Sequence, residues 1–165
     1  EARGGRRGPE NVWGSAATGA CLALLIGAGV EPGPLLLVGF SASFSAKLAD
    51  TFGSEIGKRW GRRPVLITTL RSVPPGTEGA ISLAGTLASA AGSVLMTLVM
   101  WQLQLLPSIS VSLVVMLIGL LATLAESLLG ALAQDRFRWL SNELVNALQT
   151  LLAAVMAMLW LGGRI

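Results

Sequence analysis

The chain contains no histidine and no tyrosine, and it has a single cysteine among its 165 residues. Without histidine, a Ser-His-Asp triad, a histidine general base, a haem with a histidine ligand and a histidine-ligated zinc site are all excluded. The one cysteine, Cys21, allows no internal disulfide and no cysteine-cluster metal site, and it lies in an apolar run that favours a packing role. Any acid, base or metal chemistry therefore depends on carboxylates, lysine, hydroxyls and amides.

Charged residues are also scarce. They make up 13% of the chain, whereas 53% of the residues are hydrophobic and the mean hydropathy is +0.68. The segment 79–125 contains no Asp, Glu, Lys or Arg, and neither do 11–30 and 144–163. About 20 helical residues cross a bilayer core of roughly 30 Å. The composition therefore excludes an ordinary soluble domain and predicts an integral membrane protein.

Proline and glycine interrupt the apolar sequence at intervals that divide it into five predicted helices. We predict an all-α fold, a polytopic transmembrane helical bundle that forms a single membrane domain over residues 1–165. The predicted spans are 12–30, 34–57, 79–103, 107–134 and 142–161. The chain begins in a polar stretch without methionine. We therefore expect it to be a fragment of a longer protein, truncated at the N-terminus.

Basic residues are distributed unevenly among the predicted loops. Because Lys and Arg of short loops collect on the cytoplasmic side of membranes, they predict that the N-terminal arm lies inside. The inner side then holds ten of the 12 cations: Arg3, Arg6, Arg7, Lys58, Arg59, Arg62, Arg63, Arg71, Arg136 and Arg138. Such a basic face suits anionic lipid head groups or phosphorylated substrates better than nucleic acid.

Three ionisable residues, Lys47, Asp50 and Glu55, lie within the predicted span 34–57. Each costs at least about 2.5 kcal/mol on insertion scales, so each requires a partner or a function. Lys47 and Asp50 share one helical stripe, and Glu55 lies near the inner end. A structural interpretation is a Lys47–Asp50 pair with Glu55 at the wet end of the helix. A functional interpretation is that the two carboxylates hold Mg²⁺ beside phosphate, whose oxygens Lys47 neutralises.

The sequence Gly76-Thr77-Glu78-Gly79 follows the most basic loop and is predicted to open the span 79–103. Backbone N–H groups and the positive dipole at a helix start are suited to phosphate. The alternative is that Thr77 only caps the helix and Glu78 occupies a first turn that favours acids. Further along the span, small residues at helical spacing indicate close helix packing.

The last two predicted spans add polar residues near the same membrane face. Glu126 would be costly in the span 107–134 unless it faced the same cavity as Asp50. Asn142, Asn146 and Gln149 share a helix face, and their amides suit a metal, a phosphate or a base edge. These positions predict one site at the inner face.

With these residues in view, the chain resembles the phytyl-phosphate kinase family of chloroplasts and cyanobacteria, part of a broader integral-membrane family. Four ordered motifs carry the resemblance. They are Ser-Phe-Ser-Ala-Lys47-Leu-Ala-Asp50 continued to Glu55, Thr-Thr69-Leu-Arg71-Ser-Val-Pro-Pro-Gly76-Thr77-Glu-Gly79, Glu126-Ser-Leu-Leu-Gly-Ala, and Trp139-Leu-Ser-Asn142-Glu-Leu-Val-Asn146. The resemblance implies conversion of phytyl phosphate to phytyl diphosphate for tocopherol and phylloquinone synthesis, with CTP or another nucleoside triphosphate as donor and Mg²⁺ as cofactor. Family members normally have further hydrophobic spans before the Arg-rich arm.

The predicted roles follow from combining the motifs with phosphoryl-transfer chemistry. The predicted catalytic residues are Lys47, Asp50, Glu55 and Arg71; the nucleotide- and phosphate-binding residues are Thr69, Gly76, Thr77, Gly79, Asn142 and Asn146; the metal ligands are Asp50, Glu55 and Glu126. The expected partners are an isoprenoid phosphate, a nucleoside triphosphate and membrane lipid, with no nucleic acid. The sequence leaves open whether the protein forms a homo-oligomer. The basic loops are expected on the cytoplasmic or stromal side.

Three other functions remain open from the sequence. An enzyme of the same build could transfer a nucleotidyl group to a lipid phosphate and form a CDP-lipid. A small ion or solute transporter could use Lys47, Asp50 and Glu126 as a relay, although transport predicts polar groups across the full membrane depth. A packing subunit without chemistry is the last alternative.

Overall fold

The computed structural model describes residues 8–134, 137 and 139–164. Within this part of the chain, five long helices and one small sheet follow one another. They are α1 (Pro9–Gly27), α2 (Gly33–Trp60), β1 (Val65–Leu66), β2 (Ala80–Ile81), α3 (Leu83–Gln102), α4 (Ile109–Leu129) and α5 (Asn142–Gly162). The α4 helix continues into a π-helical turn, Gly130–Gln134. The predicted helical bundle is confirmed, with the addition of one antiparallel strand pair.

Four helices are long and apolar enough to span a membrane: α2, α3, α4 with its continuation to Ala133, and α5. Among the described helices of similar length, α1 is the one that falls short of this level. Its first turn contains Glu10 and Asn11, which lower the apolar content of a helix only 19 residues long. The five predicted spans therefore correspond to five helices, of which the last four qualify as membrane spans by length and composition.

The predicted start of the third span is wrong. Gly79 has φ +73°, a left-handed conformation that does not occur within a right-handed helix. The next residues, Ala80–Ile81, form strand β2. The α3 helix begins at Leu83, after Ser82, whose hydroxyl accepts a hydrogen bond from the Gly85 N–H at 3.1 Å. The sequence 76–79 is thus a turn before a strand, and the argument from a helix N-terminus does not apply to it.

The α2 helix is the centre of the bundle and packs against each of the other four helices. Its buried face consists largely of Ser and Ala, and such small residues allow helix backbones to approach closely. The contact with α3 shows how close: a Cβ at Gly92 would lie 2.7 Å from the Leu48 carbonyl oxygen. This confirms the predicted packing role for Gly92 of α3.

Serine and threonine hydroxyls join the helices inside the bundle. The Ser45 and Ser93 hydroxyls lie 2.9 Å apart, and the Ser93 hydroxyl also donates to the Met116 carbonyl at 2.6 Å. Thr18 and Thr150 form a similar contact between α1 and α5 at 3.0 Å. These bonds satisfy polar groups that are buried or partly buried between the helices, as a membrane-embedded bundle requires.

Candidate functional site

A cavity of about 980 Å³, lined by charged and polar side chains as well as apolar ones, lies at one end of the bundle, where α1, α3 and α5 begin and α2 and α4 end. We call it the inner cavity. Nine of the sequence-predicted site residues line it: Lys47, Asp50, Glu55, Gly76, Thr77, Gly79, Glu126, Asn142 and Asn146. The structure therefore brings together residues that are distant in sequence, including Asp50 and Glu126 from different helices. Their roles stay predictions.

Lys47 makes two hydrogen bonds at the wall of the inner cavity. Its ammonium donates to Asp50 Oδ2 at 2.7 Å and to Asn146 Oδ1 at 2.6 Å. The Lys47 and Asp50 side chains are 22% and 16% exposed, so both are partly withdrawn from solvent. The predicted Lys47–Asp50 pair is confirmed, and it results from their i, i+3 spacing on α2.

Two amides of α5 hold positions against α2. Asn146 is buried, and its Nδ2 donates to the Asn142 carbonyl oxygen at 2.9 Å. Gln149 lies one turn deeper, where its Nε2 donates to the Ala46 carbonyl at 3.2 Å and to the Thr123 hydroxyl at 3.0 Å. Asn142 and Asn146 thus line the inner cavity, whereas Gln149 links α5 to α2 and α4.

Among the described residues of the lining, acidic side chains outnumber basic ones. The carboxylates are Asp50, Glu55, Glu78, Glu126 and Glu143; the ammonium groups are Lys47 and Lys58. Glu126 is half-buried on α4, and Glu55 is exposed near the end of α2. Within the described residues, no three Asp, Glu, His or Cys side chains form a cluster that could hold a metal ion. A cation here would need oxygens from a substrate as well as from the protein.

The turn at 76–79 lies against the end of α4. A Cβ at Gly79 would lie 2.6 Å from both the Ala131 N atom and the Ser127 carbonyl oxygen, so only glycine fits this contact. The Thr77 hydroxyl donates to the Pro74 carbonyl at 2.8 Å. Its oxygen can still accept a hydrogen bond, but its proton is already committed.

Two predicted residues lie apart from the inner cavity. Thr69 and Arg71 are exposed in the segment after β1, where the Arg71 N–H donates to the Thr69 hydroxyl at 3.4 Å. Neither belongs to the cavity lining.

Of the described cations near this end, Lys58 lines the inner cavity, whereas Arg59 stacks over the Trp60 ring at 5.3 Å. Arg3, Arg6, Arg7, Arg136 and Arg138 lie outside the described residues.

Sequence reasoning missed the contribution of α1. Asn11 and Ser15, one turn apart on α1, line the inner cavity. Thr86 and Ser89 of α3 also line it, although we predicted only a packing role for these hydroxyls. A polar i, i+4 pair at the start of an apolar helix was the available signal for Asn11 and Ser15.

Comparisons with known proteins place the chain among membrane proteins. A family model described as integral membrane protein DUF92 matches residues 1–154. An uncharacterised membrane protein of Synechocystis is 48% identical over 95% of the chain, and the chloroplastic protein VTE6 of Arabidopsis thaliana is 42% identical over 96% of it. An uncharacterised membrane protein of Methanocaldococcus jannaschii is 38% identical over 74% of the chain.

The chain spans only part of each of these relatives, namely 61% of the Synechocystis protein, 49% of VTE6 and 50% of the archaeal protein. No solved structure matches it. The resemblance that the four motifs predicted is confirmed at the level of the family.

Proposed function

This chain belongs to the integral-membrane family DUF92, and from that premise we propose that it is a lipid kinase of the phytyl-phosphate type. The proposed reaction transfers the γ-phosphoryl group of CTP, or of another nucleoside triphosphate, to phytyl phosphate at the inner cavity. The products are phytyl diphosphate and the nucleoside diphosphate. We propose phytyl phosphate and the nucleoside triphosphate as the substrates of the whole protein.

The main support for the proposal is that polar groups from separate parts of the chain meet in one cavity. Five separate elements, namely four helices and the turn at 76–79, deliver ionic and amide groups to a single cavity at the end of an otherwise apolar bundle. The chain has no charged residue in 32–46, 79–125 or 144–163, so its ionic groups are not spread through the membrane depth. A cavity confined to one end suits an interfacial enzyme better than a transport path.

The carboxylates of the lining support a magnesium-dependent reaction. Asp50 and Glu55 of α2 and Glu126 of α4 supply carboxylate oxygens to the inner cavity. Mg²⁺ is commonly bound by one or two carboxylates together with substrate phosphates, and it neutralises charge on the transferred group. Asp50, Glu55 and Glu126 are the candidate ligands. Because no three acidic side chains of the described part of the chain form a metal-binding group, one or two of these carboxylates would hold the ion together with substrate oxygens.

The reaction then requires mainly positioning and charge neutralisation. The phytyl phosphate oxygen attacks the γ-phosphorus, a new P–O–P bond forms, and the bond from the γ-phosphorus to the nucleoside diphosphate breaks. Lys47 donates to phosphate oxygens and helps to neutralise their charge. The acceptor oxygen is already anionic at neutral pH, so the absence of histidine is no obstacle.

The lipid substrate is accommodated by the bundle's exterior. Large apolar side chains are exposed along the helices, among them Leu98 on α3, Leu117 on α4 and Leu151 on α5. In a bilayer these surfaces face lipid, and a phytyl chain would lie among them with its phosphate at the inner cavity. By the positive-inside rule, we place that end of the bundle on the cytoplasmic or stromal side.

Product analysis tests the proposal. Full-length protein in lipid nanodiscs would be incubated with Mg²⁺, phytyl phosphate and each nucleoside triphosphate in turn, and lipids would be identified by mass spectrometry. We expect phytyl diphosphate and the matching nucleoside diphosphate, with no product when Mg²⁺ is removed.

Two results would contradict it. A CDP-lipid together with pyrophosphate would identify a nucleotidyltransferase instead. No lipid product with any donor, from protein that is folded and monodisperse, would reject the kinase altogether.

A further inference from the structure

Asn146 has both ends of its side-chain amide engaged by the protein itself. The Nδ2 group donates to the Asn142 carbonyl at 2.9 Å, and Oδ1 accepts from the Lys47 ammonium at 2.6 Å. Asn146 is also buried, at 9% exposed. Little of this amide is available for a ligand, although the residue lies at the wall of the inner cavity.

The orientation of this amide follows from its neighbours. If the amide were reversed, its N–H groups would face the Lys47 ammonium and its oxygen would face the Asn142 carbonyl oxygen. Both contacts would then be repulsive, because an ammonium has no acceptor and a carbonyl has no donor. The Asn142 carbonyl therefore directs the Asn146 oxygen towards Lys47.

Lys47 in turn is fixed from two sides. An ammonium has three N–H donors, and those of Lys47 go to Asp50 and to Asn146, which leaves one. The part of Lys47 that remains exposed lies in the inner cavity. The two contacts thus hold the long, flexible side chain in one position and leave its last donor for an anion in the cavity.

We propose that Asn146 is a positioning residue that holds the Lys47 ammonium towards a phosphate in the inner cavity and does not itself contact the phosphate. A neutral amide is suited to this role, because it fixes the ammonium without cancelling its charge. A second carboxylate at the same place would leave the group of three side chains with a net negative charge and would repel phosphate. The inference relies on the proposed function for the identity of the anion as a substrate phosphate, but not for catalysis.

A double-mutant cycle tests the proposal by binding, without turnover. The affinity of full-length protein in phosphatidylcholine nanodiscs for magnesium pyrophosphate would be measured by calorimetry. The variants are Lys47→Ala, Asn146→Ala, the double variant and Asn146→Asp. Leu148→Ala, at a partly exposed position on the same helix, is the control for folding, and thermal unfolding is followed for all variants.

We expect Lys47→Ala and Asn146→Ala each to weaken binding by about tenfold or more, the scale of a hydrogen bond to a charged group. Because Asn146 acts through Lys47, the double variant should bind no more weakly than Lys47→Ala alone. Asn146→Asp should bind more weakly than Asn146→Ala, although its shape is closer to that of the wild type. A residue with a merely structural role would show the reverse order.

Three results would overturn the inference. The first is a double variant whose loss equals the product of the two single losses, which would mean that Asn146 contacts the phosphate directly. The second is unchanged affinity in Asn146→Ala. The third is a wild-type protein that binds no magnesium pyrophosphate. Coupled binding without phosphoryl transfer to phytyl phosphate would instead reject the kinase and retain the role of Asn146.

Discussion

At the scale of single residues, the chain places a lysine directly after the stretch 33–46 of α2, which contains only small and apolar side chains. Lys47 is tolerated there because Asp50 and Asn146 take up two of its donors within 2.7 Å. Burying a charge is costly unless it is paired and hydrogen-bonded, so this arrangement satisfies a physical requirement before any chemistry is considered. The same contacts leave the ammonium at the cavity wall.

Asp50→Asn tests the carboxylate of this pair. It keeps the shape of the side chain but removes the charge that opposes Lys47 and the proposed ligand for Mg²⁺. We expect the rate of phytyl diphosphate formation to fall by at least about 100-fold, the scale seen when a charge-stabilising group is lost from an active site. The measurement is initial rates at saturating nucleotide and lipid.

The matched control is Glu31→Gln, which makes the same acid-to-amide change at the opposite end of the bundle. Glu31 lies in the loop between α1 and α2, where its Oε2 accepts from the Gly33 N–H. Its activity should equal that of the wild type. Equal activity in Asp50→Asn, with both variants folded, would show that the pair is only structural.

At the scale of elements, the segment between α2 and α3 is a small β-structure that docks on the end of α4. The β1–β2 pairing brings Val65 opposite Ile81, and the Ile67 N–H donates to the Gly79 carbonyl at 3.1 Å. The turn at 76–79 is therefore positioned both by the strand pair and by contact with Ser127 and Ala131. Its place at the cavity depends on that docking.

Gly79→Ala and Gly76→Ala form a matched test of the docking. Both glycines have positive φ, so alanine costs about 1 kcal/mol of backbone strain at either position. Only at Gly79 would the new methyl group overlap α4, because nothing lies within 4 Å of a Cβ at Gly76. The overlap should cost a further 1–3 kcal/mol, roughly.

Thermal unfolding in detergent micelles is the measurement. We expect a clearly lower midpoint for Gly79→Ala than for Gly76→Ala. Similar midpoints would mean that the turn does not pack on α4 as described.

At the scale of the whole molecule, charged residues are distributed unequally between the two ends of the bundle. The end that holds the inner cavity carries Lys47, Asp50, Glu126 and the basic segment after α2. Between the ends, the helices expose leucine to the surroundings and pair their hydroxyls internally. An apolar exterior with most of the ionic groups at one end is the arrangement expected for an enzyme that meets its lipid substrate at a membrane interface.

The two ends should lie on opposite sides of the membrane, with the basic end inside. Single cysteines can test this in a Cys21→Ala background: Thr68→Cys near β1, and Ser110→Cys at the start of α4. Both positions are exposed. In inverted vesicles a membrane-impermeant maleimide should label Thr68→Cys only, and in right-side-out vesicles Ser110→Cys only. The opposite pattern would reject the predicted orientation.

The sequence alone determined the class of fold, the approximate positions of the five helices and the family, because long charge-free runs and ordered motifs are local properties of the chain. It also identified the Lys47–Asp50 pair, because i, i+3 spacing on one helix needs no tertiary information. The sequence did not predict the start of α3 correctly, because the conformation at Gly79 depends on docking against α4.

Only the tertiary structure decided which of the candidate residues share a site. Thr69 and Arg71 are close in sequence to Gly76, yet they lie outside the inner cavity, whereas Asn11 of α1 lies in its wall. Asn146 reaches Lys47 from 99 residues away. Helical periodicity states which face a side chain occupies on its own helix, but the faces that meet are set by close packing between helices.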